Sequence, residues 1–135
     1  MENEPNIEPV RSKAIRSFRD LEASQKARQA SYQVFLVTRR FPAEERYAMT
    51  DQVRRSSRAV ASMIAEAWAR RRYPAAFIDK VNQAQGEASE SQAWLDQALD
   101  CGYISPDMHV ELDAMFQALG GKLQRMIDKS GSFCG

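Results

Sequence analysis

Arginine is concentrated in one part of this 135-residue chain. Residues 39–72 contain nine arginines and four acidic residues, whereas residues 79–113 contain one lysine and eight acidic residues. The planar guanidinium group donates two hydrogen bonds at once, which makes arginine well suited to phosphate. The pattern therefore indicates a candidate polyanion-binding surface. Its predicted contributors are Arg39, Arg40, Arg54, Arg55, Arg58, Arg70, Arg71 and Arg72.

Three interpretations of this basic segment stay open at the level of sequence. The arginines form a solvated helix face, or they dock head-to-tail on the acidic face of an identical chain, or they contact the phosphates of RNA or DNA. A helical wheel places arginines opposite the apolar face of their helix, with alanines between them. Small side chains permit close approach of a partner, and a tryptophan can anchor an interface. The predicted oligomer-interface residues are Trp94, Ala61 and Ala65.

No arrangement of residues predicts catalysis. His109 is the only histidine, and we expect it to be solvated, so no histidine-based metal cluster is predicted. Cys101 and Cys134 lack the spacing of metal ligands. Glu66 and Glu90 lie on different predicted helices, where they either bridge the helices or are exposed. We therefore predict no enzymatic activity, no metal and no cofactor.

The elements that position these residues are all predicted to be helices. Apolar residues recur at three- and four-residue steps over four segments, near 21–40, 46–71, 74–100 and 106–130. Prolines separate the first three segments, and the Ser105-Pro106 pair predicts the start of the fourth. Short connections force neighbouring helices to run antiparallel. The sequence therefore predicts an all-α fold, an antiparallel up-down-up-down four-helix bundle.

The chain has the length and composition of one domain. We predict a flexible N-terminal arm over 1–17, the bundle over 18–130 and a C-terminal tail over 131–135. The net charge of +1 does not by itself indicate a nucleic-acid binder. No transmembrane segment or signal peptide is apparent, so we expect a cytoplasmic protein with no membrane partner. Gly120-Gly121 inside the fourth helix indicates either a close helix contact or a kink.

Five segments in this order carry a resemblance to a known family: SFRDLEASQKAR at 17–28, RRFPAEERYAMTDQVRRSS at 39–57, SMIAEAWAR at 62–70, FIDKVNQAQGEASE at 77–90 and GYIS at 102–105. The chain resembles the four-helix bundle proteins encoded by intervening sequences within bacterial 23S ribosomal RNA genes. Arg54 and Arg55 match the paired arginines of that family. The chain departs from it at Ala61, Met63 and Ala67, where proline, asparagine and glycine are usual, which predicts a straighter second helix.

The resemblance implies an antiparallel bundle that assembles as a ring-shaped homopentamer and has no established enzymatic activity. A related protein, the accessory variability determinant of diversity-generating retroelements, is a basic pentameric barrel that binds reverse transcriptase and nucleic acid. The resemblance therefore makes further copies of the chain, RNA or DNA, and a reverse transcriptase the candidate partners. Nucleic-acid binding by a basic second helix is the working hypothesis, and a structural assembly module with a protein partner is the alternative.

Overall fold

The computed structural model describes residues 14–135, so most of the arm predicted over 1–17 lies outside the described residues. Four helices follow one another: α1 (Glu22–Thr38), α2 (Met49–Ala69), α3 (Pro74–Asp100) and α4 (Pro106–Asp128). Single 3₁₀ turns occupy Phe18–Asp20, Ala43–Glu45 and Ser130–Ser132, and no strand occurs within residues 14–135. The predicted all-α fold is confirmed.

The four helices form a closed antiparallel bundle. Each helix packs against two neighbours, and contact between α1 and α4 completes the arrangement. We name the two ends of the bundle after their prolines. The Pro42 end holds the α1–α2 and α3–α4 turns, and the Pro74 end holds the α2–α3 turn. None of the helices described is long and apolar enough to cross a membrane.

Local signals in the sequence determine where α3 ends and α4 begins. Gly102 adopts a positive φ of 75° after α3. Its N–H bonds to the carbonyl of Leu99 at 2.9 Å, and that of Tyr103 bonds to Ala98 at 2.9 Å, which is the Schellman pattern. The Ser105 hydroxyl then accepts a hydrogen bond from the Met108 N–H at 3.1 Å and caps α4.

The second helix is shorter at both ends than its apolar spacing predicts. Its first residue is Met49, because the 3₁₀ turn at Ala43–Glu45 precedes it. The Glu45 carboxylate accepts the Met49 N–H at 3.3 Å and the Tyr103 hydroxyl at 2.8 Å, so a contact between turns fixes this start. The helix ends at Ala69, and residues 70–72 therefore lie in the α2–α3 turn rather than on a helix face.

The predicted apolar stripes meet in one core. The largest fully buried side chains are Phe77, Phe116, Ile64, Leu95, Leu112, Leu119, Leu123, Val34, Val53, Val60, Val81 and Ser24. One polar contact crosses the core, where the buried hydroxyls of Ser56 and Ser91 lie 2.8 Å apart. Phe133, in the segment predicted as a tail, stacks on Phe77 with ring centroids 6.0 Å apart.

The glycine pair Gly120-Gly121 is not matched by a close helix contact. A Cβ atom built on either residue would meet nothing within 4 Å. Helix α4 continues without interruption through both positions. The close helix contact, one of the two interpretations of this glycine pair, therefore does not occur among the described residues of one chain.

Candidate nucleic-acid interface

The structure separates the eight predicted arginines into two groups. Arg39, Arg40, Arg54, Arg55 and Arg58 lie toward the Pro42 end, and the run 70–72 lies at the Pro74 end. Helix α2 has 21 residues, which corresponds to a length of about 30 Å. One continuous surface of all eight arginines is therefore not formed along α2. The first group is the denser one.

An aromatic ring from α1 gathers three of these arginines. The guanidinium carbons of Arg54, Arg39 and Arg58 lie 5.0, 5.8 and 6.0 Å from the centroid of the Phe35 ring. Arg54 Nε also donates to Thr38 Oγ1 at 2.7 Å, and that hydroxyl in turn donates to the Val34 carbonyl at 2.7 Å. We call Phe35, Thr38, Arg39, Arg54 and Arg58 the Phe35 cluster. Cation–π contacts and this hydrogen bond hold the guanidinium groups together despite their like charge.

A shallow depression of about 370 Å³ adjoins the Phe35 cluster at the Pro42 end. Its lining residues are Thr38, Arg39, Phe41, Pro42, Ala43, Arg46, Thr50 and Arg54. Three guanidinium groups thus line one concave surface, whereas the Thr38 hydroxyl is buried and already donates to Val34. Arginine side chains are common donors to phosphate oxygens. The depression therefore has the shape and the charge for a phosphate group.

The charge of these arginines is mostly not cancelled within the chain. Among the eight predicted residues, and within residues 14–135, only Arg55 forms an ion pair, with Asp51 at 3.5 Å. Both side chains of that pair are largely exposed, so it is weak. At the other end of α2, Arg71 stacks on Trp68 at 4.0 Å and donates to its carbonyl at 2.9 Å. The Phe35 cluster therefore presents net positive charge to solvent.

Sequence reasoning missed the aromatic residues of this surface. The predicted surface contains arginines alone, but Arg28, Tyr32, Phe35 and Arg39 recur along α1 at steps of four, three and four. Such spacing places all four on one face of a helix. The aromatic residues were missed because they come from α1, whereas most of the predicted arginines belong to α2 and its flanking turns. Arg46, which lines the depression, was also not among the predicted contributors.

The predicted oligomer-interface residues are partly buried in the single chain. Trp94 packs against the core, and its Nε1 donates to Glu90 Oε2 at 3.3 Å. Ala61 and Ala65 are also half-buried, and Ala61 contacts the core. The structure does not bring these residues together with the Phe35 cluster, and their role in assembly stays a prediction.

Glu66 and Glu90 do not pair with each other, and both are exposed, which is the second of the two interpretations of the sequence. Glu66 instead accepts a hydrogen bond from Lys80 of α3 at 2.9 Å, and this contact lowers the pKa of Glu66 below its ordinary value. The Glu90 carboxylate accepts a hydrogen bond from the indole N–H of Trp94, which lies on the same helix. The two glutamates therefore stabilise separate contacts, one between helices and one within α3.

The expectation that His109 is solvated was wrong. Its side chain is 18% exposed, and its Nε2 lies 2.8 Å from Asp96 Oδ1 on the neighbouring helix. Asp113 lies one turn after His109, and ligand atoms of the three side chains fall within 4.8 Å of one another. These side chains could hold a divalent cation, although the hydrogen bond between His109 and Asp96 already explains their approach. In the sequence, the i, i+4 spacing of His109 and Asp113 was the signal that these two side chains share a helix face.

Comparisons with known proteins agree on the fold. Residues 19–125 match the model of a family described as 23S rRNA-intervening sequence protein. A solved structure from Bacteroides thetaiotaomicron, a protein of unknown function from the S23 ribosomal protein family, is similar with a TM-score of 0.71. It is 22% identical, and the match covers 78% of this chain and 95% of that chain. No curated protein matches the chain. At this identity the likeness to the solved structure supports the fold alone.

Proposed function

The chain belongs to the 23S rRNA-intervening sequence protein family, and we propose that it is a non-enzymatic protein that binds nucleic acid through the basic faces of α1 and α2. The observation that carries this proposal is the Phe35 cluster, with three guanidinium groups around one ring. Phosphate contacts supply most of the affinity of sequence-independent nucleic-acid binding. The proposal departs from the sequence-based hypothesis because α1 contributes to the surface together with α2, and because residues 70–72 lie at the other end of α2.

The extent of the basic surface favours a polymer over a small anion. The depression with Arg46 lies on one side of the Phe35 cluster, and Arg28 lies about three helical turns before Arg39 on the exposed stripe of α1. Basic groups along such a track can contact several successive phosphates, whereas a single phosphate would occupy only the depression. An accessory role beside RNA or a reverse transcriptase is the function that this surface would serve.

Salt dependence of binding tests the proposal. We expect labelled RNA or DNA to bind at low salt with an affinity that falls steeply as salt rises. The double variant Arg39→Ala/Arg58→Ala should weaken binding and reduce the slope of log affinity against log salt by about 0.7–0.9 for each phosphate that the variant no longer neutralises. Arg54 is left in place because its bond to Thr38 gives it a structural role. Fluorescence anisotropy over a salt series measures both quantities.

A matched control removes the same charge at the other end of the molecule. Arg125→Ala/Lys129→Ala changes two exposed basic residues near the C-terminal end of α4. We expect this variant to retain most of the wild-type affinity. An equal decrease in affinity for the two double variants, or no binding of either nucleic acid by the wild type, would contradict the proposal.

A second candidate function is a homo-oligomeric assembly module. The observation that favours it is the charge distribution, because most acidic residues of α3 and early α4 are exposed and complement the arginine surface of another copy. Head-to-tail contacts of this kind close into rings when the rotation permits. A pentamer, which the family resemblance implies, is one such ring. In this alternative the arginines bind a neighbouring subunit instead of nucleic acid.

A further inference from the structure

A second depression lies beside the arginine surface, between α1 and α4. Its lining residues are Gln29, Tyr32, Gln33, Glu111, Leu112 and Met115, and its volume is about 490 Å³. Leu112 is buried and Met115 is half-buried, so the floor is apolar. The glutamines and Glu111 are exposed, so the rim is polar. Tyr32, with 58% of its surface exposed, offers an aromatic ring at the edge.

Tyr32 connects this depression to the Phe35 cluster. The rings of Tyr32 and Phe35 are stacked, with centroids 6.4 Å apart and an angle of 26° between their planes. The guanidinium groups of the cluster lie within 6.0 Å of the Phe35 ring. The Phe35 ring therefore contacts both the tyrosine of the depression and the arginines. Neighbouring parts of one nucleic-acid strand can span this separation.

The chemistry of the depression suits a nucleobase and not a phosphate. Glu111 is its only charged lining residue, and a carboxylate repels phosphate but accepts hydrogen bonds from the amino groups of bases. The amides of Gln29 and Gln33 can both donate and accept, as the edge of a base does. An apolar floor and an aromatic ring complement the flat faces of a base.

We propose that this depression binds an unpaired base of a single-stranded nucleic acid while the adjoining phosphates contact the Phe35 cluster. The inference rests on the proposed function, since it assigns the class of nucleic acid that the same surface prefers. In a duplex the bases are stacked and paired, so none is available for the depression. The chain should therefore prefer single strands to duplexes of the same sequence at equal salt.

Substitution of Tyr32 tests this inference. Stacking of a base on an aromatic side chain contributes about 1–3 kcal/mol, so Tyr32→Ala should weaken single-strand binding about five- to 150-fold. The effect on duplex binding should be small, and the salt slope should not change because every arginine that faces a phosphate is still present. Tyr32→Phe, which keeps the ring, should bind nearly as the wild type does. Anisotropy with a labelled single-stranded RNA and with its duplex measures these affinities.

The control is Tyr73→Ala, which removes a tyrosine of similar exposure, 62%, at the Pro74 end. If this variant loses as much affinity as Tyr32→Ala, the effect is not specific to the depression and the inference fails. If the wild type binds single strands with the expected salt dependence but Tyr32→Ala binds within about twofold of it, the inference fails while the proposed function stands. If the wild type binds neither form, both fail together.

Discussion

Arg54 is the residue that fixes the arrangement of the basic surface. It is half-buried, its Nε donates to Thr38, and its guanidinium group lies over Phe35. A side chain that is already ordered loses little conformational entropy when a ligand binds, whereas an exposed arginine must be immobilised at that moment. Under the proposed function, Arg54 would therefore be a preorganised anchor, and the more exposed Arg39 and Arg58 would supply charge that adapts to a phosphate chain.

Tyr103 is a second residue of interest, because its contacts keep its hydroxyl protonated. Its hydroxyl donates to the Glu45 carboxylate, and this hydrogen bond raises the pKa of Tyr103 to about 12 from an ordinary value of 10.0. The neutral phenol is the form that stabilises the fold, so its contribution is complete below about pH 10 and is lost as the pH rises toward about 12. We expect the difference in free energy of unfolding between wild type and Tyr103→Phe to be constant below that range and to decrease within it. Urea unfolding at a series of pH values measures the difference.

The control for the tyrosine prediction is Glu45→Gln, which keeps an acceptor for the hydroxyl and removes the charge. In this variant the tyrosine of the folded chain should ionise at a lower pH. The loss of its contribution still begins near pH 10, but it should be smaller and should be complete at a lower pH than in the wild type. A difference between wild type and Tyr103→Phe that stays constant across the whole alkaline range would contradict the prediction.

At this scale the sequence shows where the arginines are concentrated more readily than what surrounds them. The excess of arginine over acid in residues 39–72 is visible in composition alone. The partners are not, because Phe35 and Arg54 lie 19 positions apart on different helices and meet only when their faces pack. The contact between His109 and Asp96 was missed for the same reason, since a solvated histidine is the simpler expectation until the two helices are placed side by side.

Among the helices, α4 contains two glycines that lower its stability and have no close neighbour in the chain. Neither Gly120 nor Gly121 has a neighbour within 4 Å of an added Cβ. Glycine within a helix is less favourable than alanine by about 0.5–1 kcal/mol. We therefore expect Gly120→Ala and Gly121→Ala each to raise the free energy of unfolding of the isolated chain by about this amount. Chemical denaturation at a concentration where the protein is monomeric is the measurement.

Gly102 provides the opposite control for these substitutions. Its φ of +75° lies in the left-handed region, where an alanine is strained by about 1–2 kcal/mol, so Gly102→Ala should destabilise although the space around it is open. Destabilisation by the two α4 substitutions in the monomer would show that the glycines have a packing role within the chain. Stabilisation of the monomer with impaired assembly would instead place the glycine pair at a contact between subunits.

Helix boundaries were predictable wherever the signal was local. The bounds of α3 and the start of α4 follow from the backbone geometry of Pro74, Gly102 and Pro106 and from the side-chain cap of Ser105. The start of α2 was not predictable, because the Glu45 side chain that accepts the first N–H is shared with a tyrosine from the α3–α4 turn. A tertiary contact thus decides a boundary that apolar periodicity alone places several residues earlier.

At the scale of the whole molecule, basic and acidic residues are concentrated in different segments of the chain. Arginines dominate α2 and the turns beside it, and acidic residues dominate α3 and the start of α4, so the net charge of +1 hides a large separation of charge. The one basic residue of the acidic segment 79–113, Lys80, already forms an ion pair with Glu66. Such a molecule can neutralise its arginine surface either with phosphates or with the acidic surface of another copy. The two uses compete for the same side chains.

Measurement of mass with and without nucleic acid distinguishes these two uses. We propose that the chain forms a homo-oligomer through contacts outside the Phe35 cluster, so Arg39→Ala/Arg58→Ala should leave the mass by native mass spectrometry unchanged. The same variant should bind single-stranded RNA more weakly at low salt, because two of the groups that would contact phosphate are removed. Arg125→Ala/Lys129→Ala should change neither quantity. If the arginine variant instead falls to a monomer while the wild type is a larger assembly, the cluster is a contact between subunits and the assembly module is the better description. A wild type that is monomeric at micromolar concentration would contradict the homo-oligomer and leave the arginine surface free for a nucleic acid.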